Sequence, residues 1–166
     1  MIETRMFEDV LTQHLGKGKR LVLHSGVCEP VHLAQMVVEE ASRWPGTTME
    51  TLMSPGPGCY VDGTRIDVEA VVPGAAMRRA VAQGQVRRIC ASLFQQAQAY
   101  DTGRLRADVL MLQVTPPDEN GMVSLGPCIG YMPQILKQDI LVVASVNPQI
   151  PRSGVKIPLD RLDHVV

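Results

Sequence analysis

The sequence predicts an α/β fold: an open, mainly parallel sheet flanked by helices. Three observations predict it. Short apolar runs alternate with helical stretches of about ten residues, the rhythm of βαβ units with right-handed crossovers. Two of the runs, 107–114 (ADVLMLQV) and 139–146 (DILVVASV), are apolar at odd and even positions alike, as strands covered on both faces are. Gly- and Pro-rich loops that no regular element crosses punctuate the chain, and no linker, internal repeat or low-complexity tract divides it.

Each element has its own local reason. Phe7, Val10, Leu11 and Leu15 share one face of a short helix, which Gly16-Lys17-Gly18-Lys19 ends. Residues 20–24 (RLVLH) form a first strand, and Ser25 to Pro30 form the loop that opens the next helix, with Pro30 suited to its first turn. That helix runs over 31–43 on the stripe Leu33, Met36, Val37 and Ala41, and Trp44-Pro45-Gly46 closes it. Strands follow at 48–53 and 68–72. Pro73-Gly74 starts a helix that Gly84 ends, residues 87–91 are a fourth strand, and 93–100 are helical. The run 107–114 is the central strand. Residues 122–125 are a brief extended piece, 129–137 a further helix, and 139–146 another buried strand. The tail, 147–166, has three prolines and no clear period.

Composition narrows the function classes. At 166 residues the chain is one domain with room for a proper core. A net charge of −1 and 4% aromatic residues argue against nucleic-acid partners or an anionic membrane. No apolar run approaches a membrane span, and the amino terminus carries acidic residues where a signal peptide is basic and then apolar. Cys28, Cys59, Cys90 and Cys128 form no CxxC pair, so reduced thiols in a cytoplasm are expected, with no zinc site and no disulfide framework. His24 and His32 are too far apart for a ligand pair on one helix face, and no metal is expected.

The central strand delivers a rigid polar loop. Pro116-Pro117 stops the ladder, and Asp118-Glu119-Asn120-Gly121 carries a strong turn signal. In open α/β sheets this edge binds ligands. Gln113, polar near the end of a buried strand, must find a hydrogen-bond partner. Asp118 has two readings: it caps the turn through backbone N–H groups, or it points with Asn120 and Gln113 into the cleft. The loop Ser25-Gly26-Val27-Cys28-Glu29-Pro30 also has two: an anion site at a helix amino terminus, or a tight turn with Glu29 near the positive end of the helix dipole.

Residues 113–126, QVTPPDENGMVSLG, closely resemble the signature of the acetyl-CoA hydrolase/transferase family, class I CoA-transferases that include 4-hydroxybutyrate and acetate CoA-transferases. Residues 24–30 and 72–84 resemble the family's Gly-rich pocket loop and one of its helix starts. Residues 57–60 resemble a third family loop only loosely. The resemblance implies the glucosamine-deaminase, ribose-isomerase and CoA-transferase type of fold, with residues 1–166 forming a single domain like the amino-terminal half of a two-domain enzyme. It implies a coenzyme A thioester and a small carboxylate as substrates. It also implies a second CoA-transferase-like domain or subunit as partner, hence an oligomer. The substrate-binding residues expected are Ser25, Gly26, Cys28, Glu29, Gln113, Asp118 and Asn120. The family's catalytic glutamate lies in the second domain. Neither Glu29 nor Glu119 matches it, so no catalytic residue is assigned here. The function expected is the amino-terminal part of an acyl-CoA:carboxylate CoA-transferase or acyl-CoA hydrolase. The alternative is a non-catalytic domain that binds an acyl-CoA or a protein. An apolar contact surface is expected in the tail, 150–162, and around 122–131.

Overall fold

The computed structural model describes residues 4–54 and 66–166. Helix α1 (Thr4–His14) leads into β1 (Arg20–Leu23), α2 (Val31–Glu39) and β2 (Thr48–Met53). Then come β3 (Asp67–Val72), α3 (Arg78–Ala82), β4 (Val86–Arg88) and α4 (Leu93–Asp101). The last part holds β5 (Val109–Val114), β6 (Met122–Ser124), α5 (Met132–Ile135), β7 (Leu141–Val146), β8 (Lys156–Pro158) and β9 (His164–Val165).

Among the described residues, a seven-stranded sheet runs in the order β4-β3-β2-β1-β5-β7-β9, every neighbouring pair parallel. The middle strand is β1. The run expected at the centre, β5, lies one place away, paired along its whole length with β7. The antiparallel pair β6–β8 stands apart. From β1 the chain winds outward through β2, β3 and β4, then returns to the other side of β1 as β5. That reversal makes the β1/β5 boundary a topological switch point, where the loops after two adjacent strands leave in opposite directions.

The two faces have separate cores. Leu21, Leu23, Met49, Val109, Met111 and Val143 pack on one side with Leu11, Leu33, Val37 and Trp44. Val22, Leu52, Leu110, Leu112, Val142 and Ala144 pack on the other with Tyr100, Tyr131 and Ile135. Consecutive residues of β5 therefore point into different cores. Each buried Leu or Val contributes about 1.5–3 kcal/mol, which is why this strand tolerates no alternation.

Several boundaries differ from expectation. The fourth strand, expected over 87–91, is Val86–Arg88, and the helix expected over 129–137 is Met132–Ile135. The helix expected after Pro73-Gly74 begins as a 3-10 turn at Ala75–Met77. Helix α2 ends at Glu39, and residues 41–43 continue as a 3-10 turn, because the stripe after Val37 has one apolar residue left to bury, Ala41. The featureless tail contains β8 and β9, too short to show a period.

One face also buries charge. Glu50, fully buried in β2, accepts hydrogen bonds from Arg20 Nη1 (2.6 Å), Tyr100 OH (2.7 Å), Tyr131 OH (2.6 Å) and Gln96 Nε2 (2.9 Å). Arg20 Nη1 also reaches Glu69 Oε2 at 2.7 Å, and Arg87 closes the row on the other oxygen of Glu69. Burial alone would lower the Arg20 pKa, but its carboxylate and phenol neighbours outweigh that and raise it. Burial first, then the charge of Glu50, pushes both phenols well above the ordinary tyrosine range. Each Glu50 oxygen has two donors, so the cluster is a satisfied structural network.

Candidate functional site at the switch point

The parallel ladder places the carboxyl ends of β1, β2, β5 and β7 along one edge, and the polar residues just past those ends meet there. His24 follows β1, and its backbone N–H donates to the Met111 carbonyl at 2.8 Å. Its ring lies against the end of β5: Nδ1 sits 3.3 Å from the Gln113 backbone nitrogen and 3.1 Å from the Gln113 carbonyl. Nδ1 thus faces both the donor and the acceptor of the Gln113 backbone, and the tautomer decides which it meets; Nε2 makes no hydrogen bond of standard geometry among the described residues. Burial lowers the His24 pKa to about 4 against the opposing backbone of Gln113 and Cys128, so the ring is neutral at pH 7.

Gln113 is fully engaged. Its Nε2 donates to the Glu29 carbonyl at 3.3 Å, and its Oε1 accepts from Asn147 Nδ2 at 2.9 Å. It thus ties the loop after β1 to the ends of β5 and β7. Glu29 is buried, and its Oε1 accepts from Ser54 Oγ, just past β2, at 3.0 Å. The loop turns through Gly26 at φ +57°, a conformation that favours glycine, and a Cβ there would stand 2.9 Å from Cys128 Sγ. Ser25 and Cys28 are buried in the same turn.

Five predicted residues, Ser25, Gly26, Cys28, Glu29 and Gln113, therefore share the switch point. The other two follow a different route. Asp118 Oδ1 accepts the N–H groups of Asn120 and Met122, both at 3.0 Å, and Oδ2 pairs with Lys156 Nζ at 2.9 Å. The Lys156 hydrogen bond, then those backbone bonds, lower its pKa to about 2. Asp118 thus adopts the turn-capping geometry and fastens its loop to β8, while Asn120 is exposed in that turn. Residues 57–60 lie outside the described residues.

Sequence reasoning passed over His24, Ser54, Cys128 and Asn147 as site residues. For three of them a signal existed: His24, Ser54 and Asn147 are each the first residue past a parallel strand. Cys128 is brought in by tertiary packing alone.

Cavities of about 570 and 340 Å³ open at the opposite edge, around Asp108, Asp139, Asp163 and His164 in one case and Asp101, Arg106 and Lys137 in the other. Part of the hydrogen-bonding capacity of that edge is engaged within the chain. Asp108 accepts from Lys19 Nζ and Arg20 N, both at 2.8 Å, and Asp163 from Val142 N at 2.7 Å. Among the described residues, no group of three or more His, Cys, Asp or Glu is arranged to hold a metal ion, and no helix is long and apolar enough to cross a membrane.

Residues 6–166 match the acetyl-CoA hydrolase/transferase N-terminal domain. The chain belongs to that family. A curated relative, the 4-hydroxybutyrate coenzyme A transferase of Clostridium kluyveri, is 28% identical over 137 residues, 81% of this chain and 32% of that protein. The chain thus spans about a third of that relative's length. Among solved structures, RipA from Yersinia pestis superposes with a TM-score of 0.78 at 18% identity, covering 99% of this chain and 43% of that one. A 4-hydroxybutyrate CoA-transferase from Porphyromonas gingivalis gives 0.67 at 19% identity, over 96% and 37%. A cysteine-to-serine variant of the decarboxylase AibA/AibB gives 0.65 at 16% identity, over 95% and 80%. At these identities the likeness is one of fold. It shows that the family domain also has a fold neighbour of comparable chain length.

Proposed function

We propose that this domain is the amino-terminal half of an acyl-CoA:carboxylate CoA-transferase or acyl-CoA hydrolase. It lines the substrate pocket, and a second domain or subunit supplies the catalytic glutamate. The observation that carries the reading is the meeting of His24, Ser25, Gly26, Cys28, Glu29 and Gln113 at the β1/β5 switch point of a chain that matches this family over residues 6–166. The match to an N-terminal domain, over about a third of the curated relative's length, supports the reading. The substrates are a coenzyme A thioester and a small carboxylate, and the setting is a cytoplasmic oligomer.

In this reading the chain's residues bind and orient. The neutral His24, buried against the end of β5, keeps the loop after β1 in place beside Gln113. The Gln113 amide, held at both ends, fixes the loop that faces the substrate. Asp118 keeps its loop rigid, and Asn120 on that turn meets the partner. Glu29 anchors the loop through Ser54 and does not attack the thioester. Val27, Met53 and Val72, exposed by 68%, 45% and 44%, follow or end β1, β2 and β3, and Met53 pairs with Val72. They form the apolar rim that the partner half covers. The expected contact surface in the tail contributes Val155 and Leu159, whereas Val123, Leu125 and Tyr131 are buried in the chain's own core.

The test is to assay the purified chain with acetyl-CoA and small dicarboxylate acceptors, alone and with a second CoA-transferase half. The chain alone is expected to bind the thioester without exchanging CoA, and exchange is expected in the complex. Turnover by the chain alone that disappears in Glu29→Gln or Glu119→Gln would overturn the assignment.

A further inference from the structure

The loop after β1 and the loop between β6 and α5 interlock through two cysteines and two glycines. A Cβ on Gly26 would stand 2.9 Å from Cys128 Sγ, and a Cβ on Gly126 would stand 2.9 Å from Cys28 Sγ. Each loop therefore omits a side chain where the other places a thiol. The backbone and the thiol of Cys128 both act electrostatically on the Cys28 thiol. Both glycines have positive φ, +57° and +70°, so this close approach is built into the backbone. The reduced thiols are unequal in access: Cys28 is fully buried and Cys128 is partly exposed. Cys90 is exposed and outside this contact.

We propose that Cys28 and Cys128 form a reversible intramolecular disulfide on reaction with a hydroperoxide, stapling the loop after β1 to the loop before α5. The accessible Cys128 reacts first. Its thiolate attacks the terminal peroxide oxygen, the O–O bond breaks, and Cys128 becomes a sulfenic acid as hydroxide or alkoxide leaves. Cys28 then gives up its proton and attacks Cys128 Sγ. The S–S bond forms and the sulfenic oxygen departs as water. Over both steps, two thiols and one hydroperoxide give one disulfide, one water and one further water or alcohol. Burial is the main cause holding the Cys28 thiol above its ordinary pKa, so the second step quickens as pH rises. The sequence expectation of reduced thiols describes the resting state. The spacing of 100 residues hid the pairing, because it is made by tertiary contact between two loops.

The disulfide chemistry stands apart from the proposed function, but its consequence for ligand rests on that reading. Locking Gly26 against Cys128 removes the freedom of the turn that would adapt to a thioester. The oxidised form is expected to bind acyl-CoA at least about tenfold more weakly, which is about 1.4 kcal/mol.

The experiment uses a Cys59→Ser/Cys90→Ser background, so that only this pair can react. The folded protein is treated with one equivalent of hydrogen peroxide and blocked with iodoacetamide, then analysed by intact mass and peptide mapping. The expected result is a loss of two hydrogens, a linked Cys28–Cys128 peptide and reversal by dithiothreitol. Adding Cys28→Ser should strand the intermediate as a dimedone-reactive sulfenic acid on Cys128. Over-oxidation of Cys128 without a crosslink, or two thiols that survive peroxide, would overturn the proposal. A crosslink in a protein whose reduced form never binds acyl-CoA would sustain the disulfide and remove the proposed function.

Discussion

Replacing Glu50 by glutamine tests the interior network directly. The side chain keeps its shape but loses its charge and one of its two acceptor oxygens. Four donors converge on that carboxylate, at 2.6–2.9 Å, and they meet it away from bulk solvent, since Glu50 is fully buried. The two tyrosine hydroxyls can rotate to accept from the new amide, but the Arg20 guanidinium cannot accept a hydrogen bond. Breaking a buried ion pair from one side costs about 3–5 kcal/mol. Arg20 keeps Glu69, which places the expected loss near the lower end, about 3 kcal/mol. For a chain of this length that is a fall in Tm of roughly 6–12 °C. Urea unfolding followed by the fluorescence of the buried Trp44 should show a lower midpoint at an unchanged m value. Arg87, whose side chain is 71% exposed, is the internal contrast: Arg87→Gln should cost no more than about 1 kcal/mol although it pairs with the same row. A loss below about 1 kcal/mol for Glu50→Gln would show that the cluster is hydrated and contributes little.

Three further outcomes concern His24, the Gln113 and Asp118 contacts, and two glycines. His24 has a folded pKa of about 4, below its unfolded value near 6.5, so its contribution is present above pH 6.5 and lost as pH falls toward 4; the slope in that window is about 1.4 kcal/mol per pH unit, and it should vanish from the stability profile of His24→Leu. Gln113→Ala removes the tie between the loop after β1 and the end of β7 and should cost about 1–3 kcal/mol in denaturant titrations, with weaker acyl-CoA binding, whereas Asp118→Ala should lower Tm while leaving binding nearly intact. Gly74→Ala would put a Cβ 2.1 Å from the Ser54 carbonyl oxygen, well inside ordinary contact; it should lower Tm clearly, by about 1–3 kcal/mol of stability, while Gly84→Ala, which meets nothing, keeps its packing and shows the cost of positive φ alone.

The sheet was legible because its signal is local. The runs at 107–114 and 139–146 name the buried strands, and Asp118 with Asn120 and Gly121 names the turn. What escaped was whatever depends on distant residues. Glu50 and Glu69 look like the polar positions of half-exposed strands, and only the arrival of Tyr100, Tyr131 and Arg20 on that face makes them interior. Gln113 illustrates a partial reading: its need for a partner could be stated from the sequence, but Asn147 and the Glu29 carbonyl could not be named. The start of α4 is the reverse case. Ser92 and Gln95 form a reciprocal capping box, a pattern written in four adjacent residues and still overlooked.

The outer strands of the sheet have a consequence for how this domain meets other molecules. From six residues in β5 and β7 the ladder shrinks to three at β4 and two at β9, its two borders. The border at β4 also carries Arg87 and Arg88, both exposed. Edges this short, one of them charged, give an incoming strand almost no backbone to copy, so the sheet does not template its own extension. Association is left to side chains at the carboxyl rim, which lets the domain expose Val27, Met53 and Val72 without inviting fibre-like growth.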